Sequence, residues 1–295
     1  MTESINEYLN LLKEELAGND RATIQDALSD AEEHLRTALD DMLETGTDIS
    51  EVDAMPAIIE EYGSPEEVAA AYREIEARVR PALAQPKRVD NRPFVARFFG
   101  VFAEPRAWGA LFYALFALLT GIIYFTWAVT GLSLSLGLMI LIIGVPFAVL
   151  FLLSVRGIAL VEGRLVEALL GVRMPRRSAF TSSNLGWWER LQDILGKRTW
   201  LAILYMLLQL PLGIIYFTVF VTLIALSLSF IVAPVAQIVF NVPMIHIGDG
   251  LYHLPDWATP LMALGGVVLA TATMHLAKFT GWAHGALAKA MLVSD

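Results

Sequence analysis

Between Arg106 and Arg156 the chain runs for 49 residues without an Asp, Glu, Lys or Arg. As one helix, at about 1.5 Å per residue, this stretch would be roughly 73 Å long. The hydrocarbon core of a bilayer is about 30 Å thick, so the stretch must turn back on itself. Gly131, Ser133, Ser135 and Gly137 mark the expected turn, giving spans near 107–130 and 136–155. Two more charge-free stretches follow, 199–248 and 258–277. Composition agrees: 56% of the 295 residues are hydrophobic and 17% charged, against about 45–50% and about 25% in a soluble domain.

The placement of cations decides how many spans there are. All 15 basic residues after position 80 lie at 87–106, at 156–198, or at Lys278 and Lys289. The segment 241–259 has none. Cytoplasmic loops are enriched in Lys and Arg, so 241–259 is expected outside and every cation inside. Four spans follow, near 107–130, 136–155, 199–223 and 260–278, with both termini cytoplasmic.

An internal repeat supports this count. Residues 106–136 align with 198–228 at a constant offset of 92, with 17 of 31 positions identical, including Arg106/Arg198, Trp108/Trp200, Tyr113/Tyr205 and the GIIYFT block at 121–126 and 213–218. The ends of the halves match at an offset of 122, GRLVEALL (163–170) over GALAKAML (285–292). The second half therefore carries about 30 extra residues, an extracytoplasmic insertion at about 229–259. Repeats of the same orientation predict a pseudo-twofold axis along the membrane normal. Pro146, Pro211 and Pro234 are expected to kink or interrupt their helices.

Residues 1–80 differ sharply, holding 21 of the 30 acidic residues and 6 of the 21 basic ones. The opening MTESINEYLNLLKEELAG lacks the apolar run of a secretory signal, so this region is expected in the cytosol. Its apolar stripes (Ile5, Leu9, Leu12, Leu16; then Leu28, Ala31, Leu35, Leu39, Met42, Leu43) recur at helical spacing. Ser64-Pro65-Glu66-Glu67 reads as a helix start, with Ser as cap and Pro at the first position. The acidic surface excludes direct nucleic-acid binding, which needs cations on phosphate. The domains read as 1–84, an acidic helical unit; 85–105, a basic linker; and 106–293, the membrane domain. The fold class is all-α, a small helical domain followed by a four-helix transmembrane bundle. The loop 156–198 reads as amphipathic, with Trp187 and Trp188 anchored in the headgroup layer.

No catalytic constellation is present. The sequence has no cysteine, which removes thiolate metal sites and a cysteine nucleophile. It has no phosphate-binding loop, zinc-protease motif or nucleophile elbow. No Asp or Glu falls within the expected spans, which also removes the usual proton or cation relay. No cofactor is expected. His246, Asp249, His253 and Asp256 in the insertion are weak metal candidates, with a polar loop as the alternative reading. His275 and His284 read as packing or interfacial residues. Gly121, Tyr124 and Thr126, with Gly213, Tyr216 and Thr218, either pack the repeat interface or converge on a ligand there.

Two resemblances rest on particular motifs. Residues 5–75, with YLNLLKEEL, AEEHLRTAL and above all the Tyr62–Ala69 stretch YGSPEEVA, resemble the HAAS helical signalling domain. Residues 98–293 resemble the Putative sensor domain family of bacteria and archaea, through R-x-W-x5-Y opening each half, the GIIYFT-type block and the LLG at 169–171. The resemblance implies a non-enzymatic membrane sensor that passes an envelope or lipid-phase signal to a cytosolic signalling protein or transcription regulator. The lipid bilayer and a homo-oligomer are the other expected associations. A small transporter or lipid-binding membrane protein is the alternative.

Overall fold

The structure, a computed structural model, describes residues 4–44, 50–78, 81–84, 93–141, 144–176, 195–241, 243, 245–247 and 250–293. The described chain is almost wholly helical. Four short helices, α1 (Ile5–Glu15), α2 (Arg21–Glu44), α3 (Glu51–Tyr62) and α4 (Pro65–Arg78), are followed by α5 (Phe94–Phe99) and a 3-10 turn (Gly100–Ala103). Four long apolar helices come next: α6 (Pro105–Leu138), α7 (Gly144–Leu170), α8 (Lys197–Phe240) and α9 (Ala258–Leu292). Each is long and apolar enough to cross a membrane.

Contacts divide the chain into two units. The first comprises Met1–Ala84, Trp127–Tyr205 and Ala286–Asp295; the second comprises Gln85–Thr126 and Met206–Gly285.

In the first unit, Tyr8, Leu12, Leu16, Leu35, Met55 and Ile58 form the core of α1–α4. The helix start at Ser64 is a reciprocal capping box: Glu67 N donates to Ser64 Oγ at 3.3 Å, and Ser64 N donates to Glu67 Oε2 at 2.9 Å. This satisfies two backbone donors that the first turn would otherwise leave open. The Tyr8 hydroxyl donates to the Gly63 carbonyl at 2.9 Å. Burial, then Tyr62 and Glu67, push its phenol above the usual value.

The membrane helices depart from the expected spans in ways with clear causes. Residues Gly131 to Gly137 are helical, and the chain breaks only after Leu138. Gly131 serves close packing: a Cβ there would collide with the Phe151 ring. Helix α7 continues 15 residues past 155, into the stretch read as a loop, until Gly171 adopts φ +68. Only a residue tolerant of the left-handed region can end a helix that way. Helix α8 runs on to Phe240 before Asn241 turns left-handed at φ 53, so the non-helical insertion is shorter than expected.

Pro146 sits in the first turn of α7, where its missing N–H breaks no intrahelical bond. Pro211 and Pro234 lie inside an uninterrupted α8. The insertion also holds a two-stranded antiparallel hairpin, β1 (Ile245–Ile247) and β2 (Gly250–Tyr252), which an all-helical expectation does not include.

Candidate functional site

Polar side chains buried in an apolar helix must find partners, because an unmet donor or acceptor there costs about 1–3 kcal/mol. The second unit contains one such cluster. Tyr113 of α6 and His284 of α9, both buried, meet at 2.6 Å between the phenol oxygen and Nε2. Gln209 of α8 donates from Nε2 to Tyr113 at 3.2 Å and to Thr120 Oγ1 at 3.3 Å. On the far side of the imidazole, Nδ1 lies 3.4 Å from the Tyr216 hydroxyl. One proton arrangement serves every pair: Gln209 donates to Tyr113, Tyr113 to Nε2, and Nδ1–H to Tyr216. Gln209 Oε1 is buried without a partner among the described residues.

The first unit contains a second pair. Tyr205 of α8 donates to Glu162 Oε1 of α7 at 2.8 Å, and Glu162 is 1% exposed, as is His284. These two pairs occupy corresponding places in the sequence. Tyr113 and Tyr205 are separated by the offset of 92, and Glu162 and His284 by the offset of 122. In each pair, the first long helix of one half supplies the tyrosine and the second long helix of the other half supplies the titratable group. Lys278 and Arg156 are also 122 apart: Lys278 pairs with Glu104, just ahead of α6, and Arg156 Nε donates to Thr199 Oγ1 in the first turn of α8 at 3.2 Å.

The GIIYFT glycines make a reciprocal contact within the second unit. A Cβ on Gly121 would lie 2.7 Å from the Gln209 carbonyl oxygen, and one on Gly213 would strike the Ala117 carbonyl. Positions 117 and 209 are again 92 apart. Such glycines let helix backbones touch. Tyr124 is buried and Tyr216 half-buried, but Thr126 and Thr218 are exposed. The exposed threonines therefore do not join the Tyr113–His284–Tyr216 cluster. Thr126 and Thr218 each lie two positions after their tyrosine, about 200° round the helix at about 100° per residue, which carries them to the outer side.

At the ends of α7 and α9 the first unit is laced by ion pairs. Asp26 of α2 accepts from the Arg173 guanidinium at 3.0 Å and from the Arg176 backbone N–H at 2.7 Å. Arg173 also reaches Glu167 at 3.3 Å, and Asp20 pairs with Lys289 near the end of α9. The Arg173, Asp26 and Glu167 side chains are all largely buried, so these contacts are screened far less than surface pairs. Asp26 in α2 and Asp20 just ahead of it are thus paired with cations just after α7 and near the end of α9.

Other expected site residues fall apart or lie outside view. Trp187, Trp188 and Asp249 lie outside the described residues, as does the side chain of His246. His253 Nε2 lies 3.3 Å from the Asn241 carbonyl oxygen. Among the described residues there is no group of three His, Asp or Glu able to hold a metal. His275 packs on Phe98 and lies 2.9 Å from its carbonyl oxygen. Sequence reading missed Glu162 and Gln209. Glu162 was assigned to a loop, and so the spans were read as free of carboxylates. Extending the 122 offset by one residue aligns Glu162 with His284, which is the signal the sequence offers for it.

The family model described as HAAS matches residues 7–71, and the one described as Putative sensor matches residues 113–292. No curated protein and no solved structure matches the chain. The sensor match begins at the buried Tyr113, ends with α9 and covers more than half of the sequence. The chain belongs to the Putative sensor family, with a HAAS domain ahead of its four apolar helices.

Proposed function

We propose that this chain is a non-enzymatic sensor of the inner membrane, with both termini cytoplasmic, that relays an envelope or lipid-phase signal through its HAAS domain. The observation that carries the reading is the fastening of α2. Asp26 and Asp20 are held by Arg173 and Lys289, which follow or end the same helices that bear Glu162 and His284. A shift of α7 or α9 along its axis moves the cations that hold the domain. Neither family is an enzymatic one, in keeping with a non-catalytic role. The duplicated sequence, the reciprocal Gly121 and Gly213 contacts, and the matched tyrosine pairs support two parallel repeats as the moving parts.

The receiver is a cytosolic signalling protein or transcription regulator that docks on the acidic domain. The transporter alternative is less well supported, because Thr126 and Thr218 face outward. The test is affinity purification from native membranes of the full chain and of a chain lacking residues 1–84. A regulator or kinase held by the first and lost from the second is the expected result. If both forms retain only lipids or small molecules, the sensor reading fails.

A further inference from the structure

Helix α5 and the turn after it fall in the stretch that reads from sequence as a basic linker, between the two family-matched segments. The residues themselves are not those of a linker: FVARFFGVFA (94–103) carries one charge, Arg97, and four phenylalanines. Nor does the segment hang free. Val101 is fully buried in the core of the second unit, with Ala107, Leu111 and Met274. The Phe98 ring stacks on His275 of α9, and Trp108 Nε1 of α6 donates to the Phe102 carbonyl at 2.8 Å.

Held in this way, the segment turns large apolar side chains outward. Phe94 and Val95 are 71% and 65% exposed, and Phe99 and Phe102 are exposed as well. At about 100° per residue, Phe94, Val95 and Phe99 share an arc of roughly 140°, and Arg97 falls outside it. The apolar face continues onto a long helix: the Phe102 ring lies against Trp108, and Trp108 and Phe112, one turn apart, are both half exposed. Beside the segment, Lys278 pairs with Glu104. Lys278 is the first charge after the 258–277 stretch, so this pair marks an edge of the apolar region.

We infer that α5 and its turn lie in the plane of the leaflet in which α6 begins, with Phe94, Val95, Phe99 and Phe102 at the acyl-chain boundary and Arg97 among the headgroups. Contiguous apolar surface of this kind marks an interaction site, and phenylalanines opposite a cation suit the headgroup layer. Lipid is the occupant because the face runs on into Trp108 and Phe112, which lie on a helix long and apolar enough to cross a membrane. Through Phe98 and His275 the leaflet surface is then tied to α9. The inference rests on the membrane-spanning reading of the long helices and not on the signalling role.

The chain has no cysteine, so a single introduced cysteine places a nitroxide label at one site. The full chain is set in vesicles of phosphatidylcholine and phosphatidylglycerol, and each label's collisions with oxygen and with a water-soluble nickel chelate are compared. Labels at Val95→Cys and Phe99→Cys should show an oxygen-to-nickel ratio at least threefold above that at Glu60→Cys, an exposed site of the HAAS domain. Ile123→Cys, at an exposed position of α6, checks the spanning reading and should give a higher ratio still. A lipid-like ratio at 123 with water-like ratios at 95 and 99 overturns the inference and leaves the span standing. Water-like ratios at all three sites overturn both. Protection from both reagents at 95 and 99 means that protein covers the face, a second copy if the labels broaden one another, and overturns the inference too. In the unaltered protein, a membrane-confined photoactivated carbene should label the peptide 98–106. An unlabelled peptide there overturns the inference whether or not the cysteine variants fold.

Discussion

Helices α6 and α8 share 17 of 31 aligned residues, and aligned positions that match in exposure can still meet different partners inside. Their outward positions match closely: Trp108 and Trp200 are 52% and 51% exposed, Ile122 and Ile214 48% and 49%. Outside, the differences exchange one apolar side chain for another, as with Phe112 against Leu204; inside they bring polar groups, with Ala117 against Gln209 and Thr120 against Leu212. The tyrosines at 113 and 205 are the same, yet one meets an imidazole and the other a carboxylate. A lipid-facing surface asks only for apolar bulk, so both copies keep it. The interior is unequal, with an imidazole beside one tyrosine and a carboxyl beside the other.

The largest test of the comparison is at the shared glycines. Gly121→Val places a Cβ against the Gln209 backbone, which cannot swing aside as a side chain would. A loss of about 3 kcal/mol or more is expected, measured by unfolding in mixed micelles. Gly213→Val should cost a similar amount. Gly137→Ala, with open space around it, should change stability by no more than about 1 kcal/mol, in the stabilising direction. Unequal costs at Gly121 and Gly213 would break the reciprocity.

Next in size is the fastening of α2. Arg173→Ala leaves Asp26 and Glu167 without their shared cation. A local cost of about 2 kcal/mol is expected, below the roughly 3–5 kcal/mol for a fully buried pair. It should be visible as faster amide exchange in α2 with little change in α6.

The tyrosine pairs sharpen the comparison directly. Tyr205→Phe should cost about 2 kcal/mol and Tyr113→Phe about 1 kcal/mol, since a hydrogen bond to a carboxylate is worth more than one between neutral groups. Equal losses in micelle unfolding would mean that the carboxylate and the imidazole are energetically equivalent. Smallest of all, Gln209→Ala makes α8 resemble α6 at this position. It removes two donated bonds but also the unpartnered Oε1, so a change within about 1 kcal/mol is expected.

Some of this was legible in the sequence because it depends on local pattern. The helix start at Ser64 follows from local residue types, and the number of apolar helices from the charge-free stretches and the placement of cations between them. The turn was misplaced because glycine and serine signal breaks in water, whereas Gly131 here makes room for Phe151. Glu162 was misread because a carboxylate in an apolar helix looks like a boundary until its partner, 43 residues away, is known. The fastening of α2 was hidden for the same reason: Asp26 and Arg173 are 147 residues apart, and both look like solvated charges. Of the hydroxyls in the GIIYFT blocks, Tyr124 is buried and Tyr216 half-buried, whereas the threonines two positions on are exposed.

The central claim is that the buried pairs of the membrane helices govern how α2 is held. The direct measurement is amide hydrogen exchange of α2, over Arg21–Asp30, in the full chain in nanodiscs with Glu162→Gln or His284→Gln, and with Arg173→Ala as the reference for release. The account predicts that at least one membrane substitution speeds exchange in α2 several-fold, toward the reference. Exchange unchanged by both, while Arg173→Ala speeds it, would contradict the account.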